Sequence, residues 1–153
     1  MKKVDTLLTK NKKAFFDYEI LESWEAGIEL NGHEVKSIRA GQVHLKWSYI
    51  SNISWEFYVK WMHISPLKAL PNSSSVFAER ERKIFIKRKT MLHLEQKMKE
   101  KWHTCLALSV YLKGSLIKMQ VGLAKWKKQF QKKETLKDRD QKRDIQRAMS
   151  RNY

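Results

Sequence analysis

Apolar and polar side chains alternate with period two along much of the chain, the pattern of strands with one face buried. Tyr18, Ile20, Glu22 and Trp24 fall on one side and Glu19, Leu21 and Ser23 on the other. Gly27 then offers a turn or bulge before Ile28-Glu29-Leu30. Phe57, Val59 and Trp61 alternate with Tyr58, Lys60 and Met62. The clearest pair is Leu106, Leu108, Val110 and Leu112 followed by Ile117, Met119, Val121 and Leu123. Lys113-Gly114-Ser115 between them predicts a hairpin. Each strand is expected to show one face to the core and the other to water, as in antiparallel sheets.

Two segments change period. Gly32 to Ala40 places Val35 and Ile38 three apart, with Gly41 as a C-terminal cap, which predicts a short helix. Arg88 to Lys101 places Met91, Leu94 and Met98, and then Trp102, at helical spacing and predicts a longer amphipathic helix on the sheet. Pro66 to Ser75 holds both prolines and a Ser triplet and reads as a loop. Several short strands and few helices give an α+β class, mainly β, in a small closed or partly open barrel. After residue 128 the pattern changes again. Gln129 to Tyr153 has few apolar residues and no Gly or Pro, and it holds acid–base pairs such as Asp138/Lys142 at helical spacing. Such pairs add only ~0.2–0.5 kcal/mol each, so a lone helix is marginal there. The expected division is a domain over 1–128 and a basic tail over 129–153, disordered alone and helical against a polyanion.

Composition sharpens this picture. The 153 residues and 18.3 kDa suit one domain, and 42% hydrophobic residues exclude a wholly disordered chain. The single cysteine, Cys105, excludes an intramolecular disulfide and a Cys-based zinc site. Leu106 to Leu112 is far shorter than the ~20 apolar residues that span a bilayer. Met1 to Lys13 has no apolar leader core, so a cytoplasmic protein, or an organellar one if organelle-encoded, without a membrane partner is expected. Thirty-two Lys and Arg against sixteen Asp and Glu leave a net charge of +16, which calls for a polyanionic partner. That charge is unevenly placed: residues 14–78 carry −2, whereas 125–153 carry +7.

Catalytic chemistry is thin. There is no Gly-rich phosphate loop, nucleophile elbow or H-E-x-x-H motif, and the five His lack metal-ligand spacing. Neither an enzyme, a metal nor a cofactor is expected. Nucleic-acid signals are stronger. Lys10, Lys12 and Lys13 precede Phe15, Phe16 and Tyr18, pairing phosphate-neutralising cations with aromatic rings that either stack on bases or pack inward. A second basic cluster runs from Arg80 through Arg82 and Lys83 to Lys87, Arg88 and Lys89. A third covers Lys125, Lys127, Lys128, Lys132 and Lys133.

Several motifs together resemble the SsrA-binding protein (small protein B) family. They are Asn11-Lys12-Lys13-Ala14-Phe15, Glu25-Ala26-Gly27-Ile28, Glu34-Val35-Lys36-Ser37-Ile38-Arg39-Ala40-Gly41, Met62-His63-Ile64-Ser65-Pro66 and Lys132-Lys133-Glu134-Thr135-Leu136-Lys137. The resemblance runs collinearly from about residue 10 to the C-terminus. It implies an oligonucleotide-binding-type antiparallel β-barrel with flanking helices. It also implies a monomer acting in trans-translation: binding the tRNA-like domain of transfer-messenger RNA and, with elongation factor Tu, delivering it to stalled ribosomes. The tail would enter the mRNA channel of the small subunit near the decoding region.

By the same resemblance Asn11, Lys12, Lys13, Glu34, Lys36, Ser37 and Arg39 belong to the RNA-binding body. Glu34 would accept hydrogen bonds from bases, ribose hydroxyls or a neighbouring Arg. Lys127, Lys128, Lys132, Lys133, Arg139, Lys142 and Arg143 belong to the ribosome-facing tail. The chain departs from the family pattern at Trp47, where Asp is usual, and at Trp55, Trp102 and Trp126, where Gly is usual. Gln131 replaces an Asp and Phe16 a His. The alternative reading is a generic RNA-binding or ribosome-associated structural protein.

Overall fold

A computed structural model describes residues 5–66 and 78–151. The Ser triplet and most of the loop expected between Pro66 and Ser75 lie outside the described residues. Among the described residues, nine strands and four helices follow one another. They are β1 (Thr6–Lys10), α1 (Lys12–Asp17), β2 (Tyr18–Ile28), α2 (Gly32–Arg39), β3 (Val43–His44), β4 (Tyr49–Ile53) and β5 (Glu56–Lys60). β6 (His63–Ile64), β7 (Arg82–Phe85), α3 (Arg88–Met98), β8 (His103–Lys113), β9 (Leu116–Trp126) and α4 (Gln129–Arg151) follow. The fold is mixed α/β and mostly strand, as the alternation indicated.

The main sheet runs β1-β8-β4-β5-β7-β2-β9, and β9 pairs back onto β8, so six of its strands close into a ring. β8 is the hub. Its C-terminal half carries β1 and its N-terminal half touches β4, while its other edge is paired with β9 throughout. The β8–β9 hairpin turns in two residues, Gly114-Ser115, with Gly114 at φ +65°. β3 and β6 form a separate two-stranded ladder.

Bulges decide which face is buried. On β9, Met119, Val121 and Leu123 point into the main core, as period two predicts. On β8 a bulge between Ala107 and Ser109 shifts the register against β9. Cys105, Ala107 and Val110 therefore face the main core, while Leu106 and Leu108 join Ala14 and Ala124 in a second cluster beneath α1. The expectation of one polar face per strand fails for β8, where residues 105–110 are all buried, because α1 covers the outer side. Gly122 completes the fit: a Cβ there would come within 2.5 Å of Leu108 Cδ1. The bulge expected at Gly27 lies instead between Ile20 and Glu22. Tyr18 and Ile20 thus pack with the outer cluster and Trp24 and Ala26 with the main core, rather than sharing one side.

The two expected helices form, one of them shorter than expected. α2 ends in Gly41 at φ +77°; the Gly41 N–H donates to the Ile38 carbonyl and the Gln42 N–H to that of Ser37, a Schellman motif. α3 plugs the ring with Leu94, flanked by Met91 and Met98. It stops at Met98, so Trp102 lies on a turn, 62% exposed, instead of extending the stripe. Trp61 likewise leaves the β5 alternation. It has φ +63° and faces solvent, and the next residue, Met62, is the one fully buried. Trp47, Ser54, Trp55, Trp61 and Trp102 all have positive φ. An L-residue in that region costs about 1–2 kcal/mol, so the four tryptophans together weigh against a net stability of only ~5–15 kcal/mol. Trp126, by contrast, ends β9 in extended backbone.

Candidate nucleic-acid interface

The opening cationic segment is held by Asn11. Its side-chain oxygen accepts the Ala14 N–H at 3.1 Å, capping α1, and its amide donates to the Ala107 carbonyl at 2.9 Å. Asn11 is therefore buried, and its work is to seat α1 on the β8 bulge. Lys12 and Lys13 begin α1, exposed and half-buried respectively. They border two grooves. One, of about 270 Å³, gathers Lys10, Lys12, Lys13 and Lys46 with His44. The other, of about 210 Å³, lies among Lys13, Asp17, Tyr18, Trp47, Tyr49 and Trp126. Lys46 and His44 come from the chain around β3. Leu45-Lys46 is part of the family resemblance, but neither residue was expected in the RNA-binding set, since only folding brings them beside Lys12 and Lys13.

The second half of the body motif divides by helix face. Lys36 and Arg39 stand exposed on α2, with Arg39 Nη2 donating to the Ser115 carbonyl at 3.2 Å. Glu34 and Ser37 lie on the inner face, 2% and 1% exposed. Glu34 accepts the Asn31 backbone N–H at 2.9 Å and takes the guanidinium groups of Arg80 and Arg82. Burial alone would push its carboxyl upward. The Arg80 guanidinium, the Asn31 N–H and Arg82 outweigh that and hold it below the usual carboxylate range. The neighbouring-Arg partner expected for Glu34 is found twice, in Arg80 and Arg82.

That pairing takes apart the second basic cluster. Arg82 is fully buried and donates to the carbonyls of Met62 (2.8 Å), Ala78 (3.0 Å) and Arg80 (3.1 Å) as well as to Glu34, so it is an internal clamp and no phosphate ligand. Lys83 is engaged by Glu56 at 2.9 Å. Lys87, Arg88 and Lys89 stay exposed at the start of α3, the end of a helix where its dipole disfavours cations.

The third cluster is where the tail leaves the body. The Lys127 N–H donates to the Asp17 carbonyl at 3.0 Å and Lys127 Nζ to the Phe15 carbonyl at 3.1 Å. The buried Asp17 carboxylate bridges Lys13 (3.0 Å) on α1 and Lys132 (3.4 Å) on α4. Lys132 also sits 3.9 Å above the Trp126 ring, and Arg139 5.6 Å from that of Phe16. Of the three aromatic rings after the opening lysines, Phe15 and Tyr18 pack into the outer cluster. From Leu136 to Ser150 α4 is exposed throughout. At 100° per residue, Lys132, Arg139, Arg143 and Arg147 line one side of it; Lys142 stands at one flank of that stripe and Lys133 at the other. Lys128 is exposed in the connection before α4.

Known proteins place this arrangement. The family model described as SmpB protein matches residues 8–151. The chain belongs to the SmpB family. It is 45% identical over 145 residues to an SsrA-binding protein of Gloeothece citriformis, covering 95% of this chain and 94% of that one. A Streptococcus pyogenes SsrA-binding protein is 41% identical over 143 residues, 94% of this chain and 92% of its own. A solved structure described as "tmRNA-SmpB: a journey to the center of the bacterial ribosome" aligns at TM-score 0.66 and 35% identity, covering 79% of this chain and 85% of that one. The family match spans both the sheet ring and α4, so the basic tail is part of the shared chain.

Proposed function

We propose that this protein binds the tRNA-like domain of transfer-messenger RNA and brings it, with elongation factor Tu, to ribosomes stalled without a stop codon. The observation that carries the reading is the family match over residues 8–151 together with the cation-lined groove where Lys10, Lys12, Lys13 and Lys46 converge on α1. Four closely spaced cations suit phosphates, whose neutralisation releases counterions. The closed ring serves as an oligonucleotide-binding-type barrel, and the protein acts as a monomeric binder in the bacterial cytoplasm, without catalysis of its own.

Within this reading Lys12, Lys13, Lys36 and Arg39 contact RNA, while Asn11, Glu34 and Ser37 hold the helices that present them. Lys127, Lys128, Lys132, Lys133, Arg139, Lys142 and Arg143 serve the ribosome. Residues 1–128 act as the RNA-binding unit. The tail from 129 is frayed in the free protein and ordered as a helix in the mRNA channel, an instance of ordering coupled to binding.

Filter binding against the isolated tRNA-like-domain RNA tests the assignment. Lys13→Ala and Lys36→Ala should each weaken binding severalfold, and the unsubstituted protein should prefer this RNA to ordinary tRNA. Equal affinity for ordinary tRNA would favour a generic RNA-binding protein.

A further inference from the structure

We infer that the cell producing this chain reads the codons of Trp47, Trp55, Trp61 and Trp102 as glycine. The observation is a coincidence of residue type and backbone. Seven described residues have positive φ; two are Gly41 and Gly114, one is Ser54, and the remaining four are tryptophan. Their φ values run from +63° to +70°, beside +65° for Gly114. Glycine enters this region freely, Asn and Asp enter it sometimes, and a bulky side chain there is an outlier. One such tryptophan would be a local oddity, but here four of the chain's six adopt it.

Among the described residues, no buried packing holds these four indoles. All four are 57–68% exposed. Among the described residues, the groups set over these rings are lysine ammoniums: Lys13 and Lys46 near Trp47, and Lys101 near Trp102. The β4–β5 connection is the most telling. Ile53 pairs with Glu56, leaving Ser54-Trp55 as a two-residue loop with φ +50° and +68°. Positive φ at both central positions is the type I′ turn, whose second place favours Gly. Trp24 is the internal contrast. It lies in extended β2, packs on the main core and meets His93 edge-on at 5.9 Å, so its ring has a place. The chain is also short of glycine, with five in 153 residues, under half the ~7% average usage.

A single cause accounts for all four positions. The triplet UGA is tryptophan in some genetic codes and glycine in others, whereas UGG is tryptophan in both. A gene with UGA at these four turns, decoded as glycine, places the one unstrained residue at each left-handed position. The consequence reaches the candidate interface, because the Trp47 indole walls the groove beside Lys13 and glycine would leave that side open. The inference rests on backbone geometry and stands apart from the RNA-binding reading.

Protein isolated from its own cells decides the matter. Tryptic peptides 47–60 and 61–68 carry three of the positions, 102–113 carries the fourth, and 14–36 carries Trp24. Tandem mass spectrometry is expected to find glycine at 47, 55, 61 and 102, each with the loss of the indolylmethyl mass, and tryptophan at 24. The gene is expected to hold UGA at those four codons and UGG at 24. Tryptophan at any of the four in the native peptides, or UGG there in the gene, overturns the inference. Glycine at 24 would overturn it as well, since backbone conformation would then not mark the reassigned positions.

Discussion

At the residue scale the decisive group is the buried charge cluster of Glu34, Arg80 and Arg82. Glu34 belongs to the motif that looks most like an RNA-recognition element, yet its carboxylate is spent inside the protein. Removing one partner of a buried pair leaves the other uncompensated, at a cost of about 3–5 kcal/mol. Glu34→Gln should therefore lower the urea midpoint strongly at pH 7. The pH dependence follows from the sign of the shift. The folded carboxyl lies below its ordinary value, so its stabilisation is complete above the ordinary carboxylate range and is lost as pH falls through the lower folded value. Urea melts across the acid range should show the Gln variant converging on the parent as pH falls. A constant gap down to the lowest pH would show that Glu34 is not the titrating group.

The same scale holds the strained turns. Trp55→Gly removes an exposed side chain from a left-handed position and should raise stability by about 1–2 kcal/mol, read as an upward shift of the thermal midpoint. Trp24→Gly should do the opposite, because it empties a packed site and adds backbone freedom. Cys105 is inert for a different reason. Burial raises its thiol to about 12, and a thiol reagent should label it only as fast as the protein unfolds.

At the element scale, α4 meets the body only near its N-terminal end, through Lys132 and Arg139 among the described residues. From Leu136 onward it is exposed, and it lacks the apolar stripe that tertiary packing uses to stabilise a helix. Its first turns are tied to α1 through Asp17. Truncation after Phe130 should thus leave thermal unfolding of the sheet ring and binding to the tRNA-like domain nearly unchanged, while peptide tagging in a reconstituted translation system is lost. Loss of RNA binding on truncation would refute the division into body and tail. Asp17→Asn weakens the bridge between Lys13 and Lys132. A pair of spin labels on α1 and on the first turns of α4 should then report a broader distance distribution.

At the scale of the whole molecule, charge and shape carry different information. The net +16 marks a polyanion binder, but folding decides which cations face outward. Arg82 points into the core and Lys83 is paired, whereas Lys12, Lys36 and Arg39 are exposed. The outward-facing cations should set the salt response. Removing one phosphate-neutralising cation flattens the slope of log affinity against log salt by about 0.7–0.9, so the double variant Lys12→Ala, Lys13→Ala should lose between one and two units of slope. Arg82→Lys, if folded, should leave the slope as it is, since Arg82 meets no solvent.

Much of the molecule was legible before folding. Local periodicity set the strand-rich class and the α2 and α3 helices, and Gly114 set the hairpin turn, because those depend on neighbours a few residues apart. The β9 inner face followed for the same reason. What was illegible is non-local. The bulges on β2 and β8 exchange the faces that simple alternation assigns, and α1 buries the outer side of β8. Lys46 shares a groove with Lys12 only because β3 packs beside β1, the strand that leads into α1. Arg80 and Arg82 look like a phosphate track until Glu34, 46 and 48 residues away, takes them. The sequence by itself determined the strand-rich fold class, the family and the kind of partner, since alternation, motifs and charge are all written locally. Only the tertiary structure decided which motif residues are presented and which are spent inside, because burial depends on what the chain brings alongside.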